Sequence, residues 1–139
     1  AIDLLRVAAE IAERNQTKPI TDEHVRMAAQ KIEENKEVVA LKSYPLHEKL
    51  LIITIMKSPN ISTGDIYSAY KSFCRKTHQN ELTQRRTTQM LSEIELSGLI
   101  SGRMIHQGIH GNTKKFNLTI PNDLVKNTLN SEPIFEDIL

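Results

Sequence analysis

Residues 83–120 read TQRRTTQMLSEIELSGLISGRMIHQGIHGNTKKFNLTI, and the hydrophobic period changes partway through them. In the first part Thr87, Met90, Leu91 and Ile94 make one stripe of an α-helix. Thr83 stands where an N-cap belongs, and Gly98 stands where a helix stops. Beyond it the pattern alternates. Phe116, Leu118 and Ile120 point one way and Lys115, Asn117 and Thr119 the other, which is the period of a strand. Residues 99–106 supply the partner strand and residues 107–113 the loop. Gly108 and Gly111 in that loop are free to take positive φ. A helix leads straight into a two-stranded hairpin.

Upstream, LHEKLLIITIMK (46–57) is apolar on most sides and reads as a central helix. Pro45 disfavours helical geometry at Tyr44 and suits a helix start. SPN (58–60) ends that helix. The next is capped by Ser62 or Thr63 and buries Ile66, Ala69, Tyr70 and Phe73. Residues 2–14 form an amphipathic helix on Leu4, Leu5, Ala8, Ile11 and Ala12, and Asn15 to Pro19 break it. Thr21 then caps a second helix whose buried face is Val25, Ala28, Ala29 and Ile32. Residues 36–45 are a junction into which that helix can extend. After Pro121, Asn122 caps a short last helix, and SEPIFEDIL either packs back or frays. The expected fold is mainly α with a small antiparallel β-hairpin: a winged helix-turn-helix preceded by two helices. The expected divisions are residues 1–40, 41–130 and an acidic tail at 131–139.

The chain has 139 residues and a formal net charge of +1, but the charge is unevenly spread. Residues 46–119 carry ten Lys/Arg against five Asp/Glu, while residues 120–139 carry one against four. A cationic middle points to an acidic partner, with nucleic acid foremost. Cys74 is the lone cysteine, so no internal disulfide can form; it reads as a packing residue in a reducing, intracellular setting, which a nucleic-acid partner would make cytoplasmic and nucleoid-associated. The longest apolar stretch, LLIITIM, is too short to cross a bilayer, so no membrane partner is expected. The sequence opens inside a helical pattern and reads as a piece of something longer.

A recognition helix meets DNA with the side chains near its N-terminus. Here those are Thr83, Gln84, Arg85, Arg86, Thr88 and Gln89, which packing does not require. Arg suits guanine, Gln suits adenine, and Thr suits phosphate or the thymine methyl. On the wing, Arg103, Lys114 and Lys115 are placed to neutralise phosphates, and His110, Gly111 and Asn112 to approach the minor groove. Lys71, Arg75, Lys76 and His78 are candidates for phosphate contact or for plain solvation. His24 and His47 lack ligand spacing and read as structural or surface residues, with no metal. The sequence has no GxxxxGK[ST], no GxSxG and no Cys/His cluster, so it reads as a binding module and not an enzyme.

AIDLLRVAAEIAER, ITDEHVRMAAQKIE and SYPLHEKLLIITIMK resemble the C-terminal part of archaeal replication initiators of the cell-division-cycle-six and origin-recognition-complex type. In that family the first two helices belong to the lid of an AAA+ ATPase, and the third opens a winged-helix domain. The resemblance runs to about residue 120. It implies an intact protein that binds ATP or ADP with Mg, recognises repeats at replication origins and helps to load the replicative helicase. It implies that the helix with Arg85, Arg86, Thr88 and Gln89 takes the major groove and the wing at 103–115 the minor groove. The family's nucleotide-sensing lid arginine, its phosphate-binding loop and its acidic metal-binding motif lie outside these residues, so no cofactor is assigned to this fragment. The wing, HQGIHGNTKK, carries one cation fewer near its tip than the family's arginine-bearing wings. The alternatives are a winged-helix transcription regulator and a winged helix used for protein docking, such as helicase recruitment.

Overall fold

The computed structural model describes residues 2–14 and 21–139. The expected break at residues 15–19 lies outside the described residues, as do the side chains of Ala12 and His110. The chain divides into two compact units, residues 1–40 and 41–139.

The first unit is built from α1 (Ile2–Arg14) and the body of α2 (Asp22–Ser43). Ala8 and Ala28 are fully buried, as the alanine-lined pattern requires. The buried stripe is narrower than expected, however: Leu5 is 59% exposed and Ala29 is also exposed. Two helices of a pair can each cover only one stripe, so a broader apolar face is left over. Thr21 opens α2 with a reciprocal cap. Its Oγ1 accepts from the His24 backbone N–H at 3.3 Å, and its own N–H donates to His24 Nδ1 at 3.2 Å. His24 thereby takes the place that a glutamate usually fills in a capping box. α2 runs through the expected junction to Ser43.

The second unit is organised around α3 (Leu46–Lys57). Every residue from Glu48 to Met56 is buried, so this helix has almost no solvent side. α4 (Thr63–Lys76), α5 (Gln84–Ser97), α6 (Asn122–Leu129) and the sheet all pack on it. Its one hydroxyl, Thr54 Oγ1, is satisfied by the Leu50 carbonyl at 2.8 Å. Of the two candidates for the α4 cap, Ser62 takes the position and accepts from Asp65 N–H at 3.3 Å, while Thr63 is the first helical residue; Thr83 caps α5 as expected, accepting from Arg86 N–H at 3.2 Å. Gly98 ends α5 in the left-handed region at φ 87°. Asn122 is not a cap. Pro121 takes that position without a side-chain bond, and Asn122 is the first helical residue. The C-terminal residues pack back: Phe135 and Ile138 are buried, and Lys49 Nζ meets the Glu132 carboxylate at 3.0 Å.

The sheet has three strands, not two. β1 (Ile61–Ser62) pairs antiparallel with β3 (Asn112–Leu118), which pairs on its other side with β2 (Ile100–His106). β1 is only two residues long and leads directly into the cap of α4. A segment that short has no period to read, and its partners Phe116 and Lys115 are far away in sequence.

Two tyrosines of α4 set where α5 begins. The Tyr67 hydroxyl donates to the Leu82 carbonyl at 3.0 Å, and the Leu82 N–H donates to the Tyr70 hydroxyl at 2.9 Å. The Tyr70 hydroxyl is in turn hydrogen-bonded to His47 Nδ1 on α3, 2.7 Å away. The residue before the α5 cap is thus held from both sides of its backbone. Burial pushes the Tyr70 phenol well above its ordinary value of about 10.

Tyr70→Phe removes two partners at a buried site, so an unfolding free energy lower by about 1–3 kcal/mol is expected in urea denaturation. A phenol whose pKa is raised on folding stabilises the protein below its unfolded value and loses that contribution as pH rises. Wild-type stability should therefore fall more steeply above about pH 10 than that of Tyr70→Phe.

Candidate nucleic-acid interface

The stripe of α5 that faces inward is the expected one: Thr87, Met90, Leu91 and Ile94 are buried. Thr87 Oγ1 is satisfied by the Gln84 carbonyl at 2.9 Å. The opposite side carries Arg85, Gln89 and Ser92, flanked by Arg86 and Thr88, and these and Gln84 in the first turn are all exposed. Arg86 Nη1 donates to Gln89 Oε1 at 3.1 Å, so these two lie side by side one turn apart. Thr83 is exposed, but its hydroxyl is engaged as the cap. Leu96 continues the outer stripe and is 89% exposed.

The hairpin is tied to α5 by one charged contact. Lys114 Nζ on β3 lies 2.8 Å from Glu95 Oε1 in the last turn of α5, and the Lys114 ammonium also sits over the Phe116 ring, 5.3 Å from its centroid. Both side chains are about one-third exposed or less. The other carboxylate oxygen of Glu95 is buried with no hydrogen-bond partner among the described residues. Room for this pair comes from Gly102, which stands opposite Phe116. A Cβ at Gly102 would run into the Glu95 carboxylate, the Lys114 stem and the Phe116 ring.

This contact revises the expected arrangement of wing cations. Cross-strand pairs alternate between the two faces of a sheet. Gly102 with Phe116, Met104 with Lys114 and His106 with Asn112 share the face that reaches α5. Arg103 with Lys115, and Ile105 with Thr113, lie on the other face. Arg103 and Lys115 are therefore side by side, and neither forms an ion pair with an acid among the described residues, whereas Lys114 is engaged inward. Two like charges directly opposite each other on a strand pair are unfavourable unless an anion meets them.

The turn is shorter than expected, because Asn112 is already the first residue of β3 and pairs with His106. His106 Nδ1 lies 2.7 Å from Asn112 Oδ1, so the Asn112 side chain is engaged across the strand pair. Gly108 and Gly111 do take positive φ, 60° and 79°. His110 belongs to the 3-10 turn between them.

On α4, the Lys71 and Lys76 ammoniums sit over the rings of Tyr67 and Phe73, at 5.0 Å and 5.7 Å. His78 occupies the left-handed position past the end of α4, φ 57°, where the Gln79 N–H returns to the Cys74 carbonyl at 2.8 Å. Cys74 is buried, and that burial raises its thiol pKa. Among the described residues no cluster of His, Cys, Asp or Glu is arranged to hold a metal ion, and no helix is long and apolar enough to cross a membrane. The positions that sequence reading passed over are Glu95, Gly102 and His106. Only the register of the hairpin brings them to the site.

A helix-turn-helix whose second helix runs into an antiparallel hairpin, with a third short strand closing the sheet, defines a winged-helix protein. Comparison with known proteins makes that more specific. Residues 39–128 match the family described as the CDC6 C-terminal winged helix domain, and residues 1–30 match the Cdc6 AAA+ ATPase-type lid domain. The chain belongs to this Cdc6 family. It is 60% identical along its whole length to an ORC1-type DNA replication protein of Cenarchaeum symbiosum, of which it covers 34%. An ORC1-type DNA replication protein of Thermococcus onnurineus is 36% identical, with all of this chain and 35% of that relative covered. Among solved structures, the Aeropyrum pernix ORC1 protein in complex with DNA superposes with a TM-score of 0.90 at 33% identity, covering 99% of this chain and 37% of that one. The chain thus spans about a third of the length of the proteins it resembles.

Gly102→Ala should lower stability by about 1–3 kcal/mol, because the added methyl displaces the Glu95–Lys114 pair and the Phe116 ring. Lys114→Met should cost about 0.5–1 kcal/mol, whereas Lys115→Met should stay within about 0.5 kcal/mol of wild type in the same urea titration.

Proposed function

We propose that residues 41–130 are the double-stranded DNA-binding module of an origin-recognition initiator, and that residues 1–40 are the C-terminal helices of its AAA+ lid. Residues 131–139 are a tail clamped onto the module through Lys49 and Glu132. In this reading the N-terminal part of α5 enters the major groove of origin repeats. Arg85 and Gln89 read base edges there, and Gln84, Arg86 and Thr88 contact bases or phosphates. Thr83 contributes through the cap that shapes the helix start. The wing lies along the neighbouring minor groove. Arg103 and Lys115 meet phosphates from its outer face, and Gly111 and Asn112, together with His110, approach the sugars.

The observation that carries this reading is the pairing of an unburied polar side of α5 with a hairpin fastened to the same helix by Glu95 and Lys114. The family supports it: the superposing Aeropyrum pernix ORC1 protein was solved with DNA. Lys114 has a structural role in the free protein and supplies charge to DNA only if it leaves Glu95. A protein-docking role would draw on the acidic charge and the apolar residues of the tail, and of the latter Phe135 and Ile138 are buried in this unit. Nucleotide binding and helicase loading are assigned to the intact initiator, because the residues present include no phosphate-binding loop.

If about five phosphates are neutralised, the affinity of this chain for duplex DNA should fall with salt at a log–log slope of about −4 to −5. Arg85→Ala should cost about 1–3 kcal/mol on a preferred duplex and narrow its advantage over a scrambled one. Lys115→Ala should weaken both duplexes alike and reduce the slope by about one. A slope near zero, or no binding at low salt, would refute the proposal.

A further inference from the structure

Among the described residues no large apolar side chain is more exposed than Ile109, at 97%. It stands at the tip of the wing, in a turn that is closed and not slack. The Gln107 N–H donates to the Gly111 carbonyl at 2.9 Å, and the Gly111 N–H donates to the Gly108 carbonyl at 3.1 Å. Beneath it the His106–Asn112 contact and a Thr113 Oγ1 to Gln107 Oε1 bond at 3.3 Å brace the two strands. Gly108 and Gly111 provide the left-handed backbone that such a turn demands, and both are open to solvent. The turn therefore holds the middle residue outward.

That residue is β-branched, with little rotamer freedom to lose on contact. From Met104 to Thr113 the hairpin has no Lys or Arg, and the cations at Arg103 and Lys115 are set back toward its base. The wing thus presents apolar mass at its tip and positive charge behind it. A single exposed apolar residue is ordinary on a protein surface. A stiff one, mounted on a hydrogen-bonded tip ahead of two unopposed cations, matches the way minor-groove proteins wedge an apolar side chain between base steps while cations hold the phosphates.

Resting on the DNA-binding reading above, we infer that Ile109 is a wedge. It enters the minor groove, packs against sugars and the edge of one base step, partly unstacks that step and bends the duplex. Pyrimidine–purine steps, which open most easily, are the expected positions.

The test uses duplexes that this chain selects from a randomised pool, labelled at their ends with a donor and an acceptor dye. Wild-type protein should raise energy transfer as the ends approach. Ile109→Ala should lose more than half of that rise and bind about three- to tenfold more weakly. Its salt slope should be unchanged, since no phosphate contact is lost. Ile109→Leu should retain the bend, and thermal unfolding of both variants should match wild type because the side chain is already in solvent. An Ile109→Ala protein that binds and bends DNA like wild type overturns the wedge and leaves the DNA-binding proposal standing. A wild-type chain that selects no duplex overturns both.

Discussion

The placing of the wing's outer half against α5 depends on one contact, the ion pair between Glu95 at the end of α5 and Lys114 on β3, seated over Gly102. A helix and the hairpin that follows it are joined covalently only through Gly98 and Leu99, and a glycine joint alone would leave the hairpin free to swing. Hydrophobic packing of Ile100 and Phe116 fixes the root of the sheet. Toward the tip no apolar residue of the hairpin is buried, and there the charged pair takes over. Its setting is half-shielded, with the Phe116 ring under the ammonium, so it is screened less by salt than a fully exposed pair. Gly102 is part of the same device: any side chain there would occupy the space where the pair meets.

The other end of α5 is fixed by a different kind of bond. Tyr67 and Tyr70 hold the two polar groups of Leu82, and Tyr70 hands the connection on to His47 in the central helix. The start of α5 is thereby referenced to α3, while its end is referenced to the wing. Between them lies the exposed row from Gln84 to Ser92, which no packing contact requires. Rigid ends and an uncommitted outer face are what a reading helix needs, because base-edge recognition fails when the helix can roll.

Much of this was legible in the sequence. The stripe of Thr87, Met90, Leu91 and Ile94, the caps at Ser62 and Thr83, and the stop at Gly98 all follow from local rules, since each depends on residues within one or two turns. Alternation along β3 was equally clear, but the reading grouped Lys114 with Arg103 and Lys115, although the same alternation sets Lys114 on the Phe116 face. What the sequence did not name was the acid that Lys114 meets, because Glu95 lies nineteen residues away and only the hairpin register brings it near. β1 was invisible for the same reason: two residues have no period, and their partners are remote. Tyr70 read as an apolar member of a stripe because its ring does pack there; the role of its hydroxyl depends on two other elements. In the first unit the broad apolar pattern of Leu5 and Ala29 promised more burial than two helices supply.

The central claim is that the outer side of α5 and the wing meet one duplex together. Backbone amide shifts, followed by NMR while a selected duplex is titrated in, test it most directly. Perturbed amides should fall in two groups, one from Thr83 to Gln89 and one from Arg103 to Lys115, both titrating with a single dissociation constant, while α6 and the tail stay still. Perturbation of only one group, or of α6 and the tail in place of both, would contradict that claim.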